Sequence, residues 1–209
     1  MRPIIKVCGM RSAQNIRKAE ALGIDWMGFI FWPKSSRYIT ECPAYLPTKC
    51  KRIGVFVDED IKTIKKIAGD YALDYIQLHG SESPAYCKQL KGFHLIKAFN
   101  IATAEDFLPT TAYEGLVDYF LFDTKAQLPG GSGQQFDWTV LADYVGETPF
   151  LLSGGIGPDD AARLRTLFSA GSGSIAAKCL GIDLNSRFET APGLKDIAAL
   201  RNFITQLSH

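Results

Sequence analysis

Eight short apolar runs recur along this chain, and helix-patterned stretches separate most of them. This spacing limits the possible folds more than any other feature. The runs occupy residues 4–7, 26–31, 52–57, 75–78, 94–98, 119–122, 150–152 and, by spacing more than by β propensity, 179–184. Their ends fall near residues 8, 31, 57, 79, 99, 123, 153 and 184, at intervals of 20 to 31 residues. Each interval has room for one helix and two short loops. Strands alternating with helices at that interval form a parallel sheet with right-handed crossovers. Helical patterns cover residues 12–22, 61–68, 83–90, 104–108, 138–144, 158–168 and 195–207. Ser12 is placed to cap the first and Gly23 to stop it. Pro158 sits where a first-turn proline belongs. Eight units in 209 residues favour a single (β/α)₈ barrel over residues 1–209, with a doubly wound open sheet as the alternative.

Composition narrows the function classes. Hydrophobic residues make up 46% and charged residues 22%, ordinary values for a chain with a normal core. Lys plus Arg number 23 and Asp plus Glu 22, so the basic excess that nucleic acid or an anionic membrane surface would require is missing. No stretch of 18 apolar residues occurs, and the first apolar run is too short for a signal-peptide core, so a cytoplasmic protein is expected. The five cysteines form no C-x-x-C pair and are odd in number. This argues against a disulfide framework or a zinc ribbon.

In a parallel barrel, chemistry sits at the C-terminal ends of the strands. The polar residues that end the apolar runs are Cys8, Gln77 and His79, Asp123, Ser153-Gly154-Gly155 and Asp183, with Lys34–Tyr38 in the loop after the second run. Each has a plain structural reading. Cys8 could be a buried thiol, His79 a turn residue, Asp123 an Asx turn and the glycine pair a tight turn. Their convergence on one mouth is what favours a site. Gly154-Gly155 ahead of a helix suits a phosphate, because glycines let backbone N–H groups approach an anion. The glycine-rich stretch at residues 129–133 reads equally as a plain connection or as a lid beside Asp123.

These residues fall in stretches that, taken in order over nearly the whole chain, resemble the phosphoribosylanthranilate isomerases. The stretches are Lys6-Val7-Cys8-Gly9, Gly28-Phe29-Ile30-Phe31 with Lys34-Ser35-Ser36-Arg37, Gln77-Leu78-His79-Gly80, Phe122-Asp123-Thr124, Leu152-Ser153-Gly154-Gly155-Ile156 and Pro192-Gly193-Leu194-Lys195-Asp196. The resemblance implies a barrel enzyme with no cofactor and no metal, acting on a small-molecule substrate as a monomer or homodimer. The implied reaction is the Amadori rearrangement of N-(5-phosphoribosyl)anthranilate in tryptophan biosynthesis. It implies Cys8 as general base and Asp123 as general acid. Arg37 would hold the anthranilate carboxylate, and His79 and Asp183 would line the substrate site. Gly154, Gly155, Asn185 and Ser186 would hold the phosphate. The chain departs from the family pattern after the eighth run, where Asn185 stands for a serine and Arg187 for a glycine. Arg187 would either contact phosphate or face solvent.

The chemistry explains why such groups are needed. Opening the sugar ring requires a proton on the ring oxygen. A carboxylic acid gives it at neutral pH only if burial raises its pKa from near 3.9. Removing the acidified C2 proton requires a base, and a free thiol is mostly protonated at neutral pH. Lys6 shares the strand face of Cys8 and would favour the thiolate, or would serve only to bridge packing layers. Two rivals remain: another sugar-phosphate isomerase, and a non-catalytic barrel that binds a phosphate ligand. The first would more often place aspartates at the ends of strands one and five, where this chain has Cys8 and Ala98-Phe99. The second would not need Cys8 and Asp123 together.

Overall fold

Eight parallel strands, each paired with the next, close on themselves in the order β1 to β8, with β8 pairing back to β1. The computed structural model describes residues 2–124, 138–169 and 177–208. The strands are β1 (Ile4–Val7), β2 (Trp26–Ile30), β3 (Lys51–Phe56), β4 (Tyr75–Leu78), β5 (His94–Ile101), β6 (Tyr119–Thr124), β7 (Phe150–Ser153) and β8 (Cys179–Leu184). The closed barrel replaces the open-sheet alternative. The segments at 129–133 and 171–174 lie outside the described residues.

The period-2 alternation of each strand divides its side chains between two cores. Outward residues such as Ile5, Val7, Met27, Phe29 and Phe122 pack under the helices. Inward residues Trp26, Ile53, Ile96, Leu121 and Leu151 fill the barrel. At the N-terminal end Trp26 stacks on Tyr75 at 4.9 Å and meets Tyr119 edge-on at 5.2 Å, which makes an aromatic floor. Toward the C-terminal end the inward positions turn polar: Lys6 and Cys8, Gln77, Asn100, Asp123, Ser153 and Asp183. The floor is therefore packed with rings and the mouth with chemistry.

The helices are α1 (Ala13–Glu20), α2 (Ile61–Asp70), α3 (Pro84–Gln89), α4 (Ala161–Ser169) and α5 (Ile197–Ser208). Ser12, Asp60 and Ser83 cap the first three by accepting from the N–H three residues on. Between β2 and β3, where the sequence shows no helical pattern, the chain runs through turns and bends, because Pro33, Pro43 and Pro47 interrupt any helical ladder. Other crossovers differ from the sequence expectation. After β5 and β6 the crossovers are 3₁₀ segments, Ala104–Tyr113 with Pro109 inside it and Trp138–Asp143. A 3₁₀ turn at Pro158–Asp160 precedes α4. The last expected helix starts two residues late. Lys195 instead belongs to a short hairpin of β9 (Glu189–Ala191) and β10 (Leu194–Lys195), turned through Pro192-Gly193.

Candidate active site

A cavity of 420 Å³ opens at the C-terminal end of the barrel, within the range that holds a small substrate. Cys8, Arg37, His79, Asp123 and Asp183 line it, as do Gly154, Gly155, Asn185 and Ser186. All nine positions singled out in the sequence therefore meet in one place. They come from six different strand ends and loops, as parallel strands would deliver them.

Cys8 lies just past β1, two residues on from Lys6 and on the same face. Room for its sulfur comes from Gly28 on the neighbouring strand, where a Cβ would lie 2.6 Å from Sγ. Burial pushes the thiol above its ordinary pKa, and the Lys6 ammonium is the largest opposing influence, helped by Lys195. The expected direction of the Lys6 effect is thus present, but burial outweighs it. Lys6 is itself fully buried and pairs with Asp183 at 2.9 Å. Burial works against its charge, but Asp183 and then Cys8 hold its pKa above the usual lysine value. The Lys6–Asp183 contact is an ion pair without hydrogen-bond alignment. Neither Lys6 Nζ nor Asp183 Oδ1 has a hydrogen-bond partner among the described residues.

Asp123 stands across the mouth on β6, in register with Asn100 on β5 and Ser153 on β7. Its side chain is 24% exposed, so the burial expected of it at the barrel mouth is only partial. Among the described residues it has an ionic neighbour in His79, with Nε2 3.6 Å from Asp123 Oδ2. The other ring nitrogen, Nδ1, lies 2.9 Å from Gln77 Nε2. An amide nitrogen can only donate, so Nδ1 accepts and the ring N–H points from Nε2 toward Asp123. Gln77 Oε1, buried in the same wall, has no hydrogen-bond partner among the described residues.

Arg37 does line the cavity, but it is not a free fork. Its Nε lies 2.9 and 3.0 Å from the two oxygens of Glu189, and its Nη2 donates to Oε2 at 2.6 Å. This leaves Nη1 as the nitrogen without a hydrogen-bond partner among the described residues. Glu189 also accepts from Lys195 Nζ at 2.5 Å and from Gly193 N at 3.1 Å. Lys195 in turn donates to Asn185 Oδ1 at 2.8 Å. Burial raises the Glu189 pKa, but Arg37 and Lys195 together hold it below the ordinary carboxylate value. Sequence reasoning gave Glu189 and Lys195 no role. They are far from Arg37 in the chain, and the one available cue was the Pro-Gly turn that folds their hairpin.

Gly154 and Gly155 have φ of +95° and +67°, in the left-handed region that favours glycine. Gly157 N donates to Asp160 at 2.8 Å and starts the turn into α4. Across the cavity the loop after β8 contributes Asn185, Ser186 and Arg187. No cluster of metal-ligating side chains occurs among the described residues. No described helix is long and apolar enough to cross a membrane.

A closed parallel barrel with a thiol, two carboxyls and a glycine pair around a small cavity is built as a (β/α)₈-barrel enzyme of the acid–base kind. Comparison with known proteins makes this specific. The family model described as N-(5'-phosphoribosyl)anthranilate (PRA) isomerase matches residues 5–206. An N-(5'-phosphoribosyl)anthranilate isomerase from Parabacteroides distasonis is 52% identical over 99% of this chain and 94% of its own. One from Phocaeicola vulgatus is 51% identical over 98% and 97%. The solved phosphoribosyl anthranilate isomerase of Thermotoga maritima superposes with a TM-score of 0.81 at 30% identity, covering 98% of both chains. The chain belongs to the N-(5'-phosphoribosyl)anthranilate isomerase family.

Proposed function

We propose that the barrel mouth carries out an aldose–ketose isomerisation with Cys8 as general base and Asp123 as general acid. The activity itself follows from the family: the chain is an isomerase of N-(5'-phosphoribosyl)anthranilate, acting in tryptophan biosynthesis. A related isomerase, 26% identical with a TM-score of 0.77, was solved in complex with reduced 1-(o-carboxyphenylamino)-1-deoxyribulose 5-phosphate. The observation that carries the assignment of roles is that Cys8 and Asp123, on different strands, line the same small cavity.

The steps follow from that placement. Asp123 in its acid form donates a proton to the ring oxygen, and the C1–O bond breaks to leave a protonated Schiff base at C1. The C2 proton is now acidic, and Cys8 as thiolate removes it. The resulting enolamine takes the Cys8 proton at C1 and gives the proton of its C2 hydroxyl to the Asp123 carboxylate, which forms the ketone and restores both groups. Substrate binding would cover the partly exposed Asp123. His79, whose N–H faces Asp123, would steady the carboxylate left after transfer.

The two ends of the substrate position its centre. Gly154, Gly155, Asn185 and Ser186 would hold the phosphate. Asn185 would contribute through its amide nitrogen, since its oxygen is taken by Lys195. Arg37 would offer the anthranilate carboxylate its free Nη1 rather than a two-pronged grip, because Glu189 occupies Nε and Nη2. Asp183 Oδ1 and Gln77 Oε1, buried and unpartnered, are acceptors for sugar hydroxyls, since buried polar groups are nearly always paired. Fluorescence-monitored consumption of phosphoribosylanthranilate tests this reading directly. The wild-type chain should turn the substrate over, and Asp123→Asn should lower kcat at least about 100-fold, the low end for an acid–base group. A wild-type chain without turnover would reject the function, and an active Asp123→Asn would reject the role.

A further inference from the structure

We infer that Arg187 is a phosphate-holding residue of this site, closing the glycine cradle with a guanidinium from the opposite loop. This rests on the isomerase reading above and adds a residue to it. Three observations carry it.

The first is position. Arg187 lines the cavity together with Gly154, Gly155 and Ser186, at the mouth where the loops after β7 and β8 face each other. The second is the fit to Gly157. A Cβ on Gly157 would lie 3.2 Å from Arg187 Nε and 3.5 Å from Nη2, so the guanidinium lies over that residue. The φ of Gly157 is −125°, a value any residue adopts. Glycine is therefore not required there by the backbone, and its lack of a side chain leaves space for the Arg187 head. The third is charge. Of the other cations around the cavity, Lys6 is paired with Asp183, and Arg37 and Lys195 are both paired with Glu189. Arg187, by contrast, lines the cavity and makes no side-chain ion pair or hydrogen bond among the described residues. A doubly charged phosphate entering the cradle would thus meet backbone N–H groups on one side and one uncompensated, fork-shaped cation on the other, a geometry suited to paired N–H···O bonds.

The test compares the wild type with Arg187→Gln, Arg187→Lys and Gly157→Ala, reading KM and kcat for phosphoribosylanthranilate and the affinity for inorganic phosphate by calorimetry. Loss of a charge-assisted contact in Arg187→Gln should raise KM about tenfold and weaken inorganic phosphate similarly, with kcat changing much less. Arg187→Lys should recover part of both losses, because it keeps the charge but not the fork. Gly157→Ala, which crowds the guanidinium, should raise KM by less than Arg187→Gln. Unchanged KM and phosphate affinity in Arg187→Gln, or a loss confined to kcat, would overturn the inference. If the wild type bound phosphate without isomerising the substrate, the isomerase reading would fall, and the calorimetric comparison would still decide whether Arg187 holds the anion.

Discussion

Lys6 and Asp183 are register partners on β1 and β8 and form a buried ion pair at 2.9 Å, two residues short of Cys8. The pair places a cation under the thiol. Replacing Lys6 by Met leaves the Asp183 carboxylate buried without its counter-ion, which should lower stability by about 3 kcal/mol in urea unfolding. It also removes the largest influence opposing the burial of Cys8, so the thiol pKa should rise further. The pH profile of alkylation at the Cys8 peptide, read by mass spectrometry, checks this. A profile that does not move would leave Lys6 a packing role only.

Glu189 joins Arg37 and Lys195 into one unit, and its side chain is 4% exposed. Glu189→Gln removes the negative charge between two cations, one of them fully buried. It should cost about 3 kcal/mol of stability. It should also raise KM, because the Arg37 head loses its anchor. Arg37→Ala should raise KM with a smaller effect on kcat, as expected for a group that binds substrate and transition state alike. Equal KM values for wild type and both variants would separate this cluster from the substrate.

Gly28 is a steric requirement of the Cys8 thiol. Its Cβ, if present, would lie 2.6 Å from Cys8 Sγ and 3.1 Å from Cys8 Cα. Gly28→Ala should shift Cys8 and lower kcat at least about tenfold, at a stability cost of about 1–3 kcal/mol for overpacking. Steady-state kinetics and thermal unfolding report the two effects separately. A fully active Gly28→Ala would show that the position of Cys8 does not matter.

Alkaline pH should unfold this chain through its buried thiols. Burial lifts Cys8 above the ordinary value of 9.0, and lifts Cys50 and Cys179 to about 12. Below the ordinary value the thiols are protonated in both states, and their contribution to stability is fully present. As pH rises past it, the unfolded chain loses protons first, and stability falls until the folded thiols ionise too. The urea midpoint should therefore drop as pH rises from about 9 toward about 12, and a flat or rising midpoint would contradict this.

The strands were legible because they are short, apolar and evenly spaced. Residues 4–7, 75–78 and 179–184 match β1, β4 and β8 end to end. β5 runs on to Ile101, past the expected end at 98, because Phe99 and Asn100 continue the pairing with Phe122 and Asp123. The 3₁₀ crossovers were read as ordinary helices. Pro109 and the shortness of the Trp138–Asp143 segment decide for the tighter form, and periodicity over so few residues does not separate the two. The site positions were legible one strand end at a time. The Arg37–Glu189–Lys195 cluster was not, because its members are joined only by the closing of the barrel and by a hairpin hidden under a helical pattern. The partial exposure of Asp123 was also out of reach, since the sequence does not give the depth of a mouth.

The central claim is that Cys8 performs proton transfer rather than packing, and one variant tests it most directly. Cys8→Ala should bind reduced 1-(o-carboxyphenylamino)-1-deoxyribulose 5-phosphate nearly as tightly as wild type. Its kcat for phosphoribosylanthranilate should fall at least about 100-fold. A Cys8→Ala enzyme that binds this analogue and still turns over within about tenfold of the wild-type rate would contradict the account.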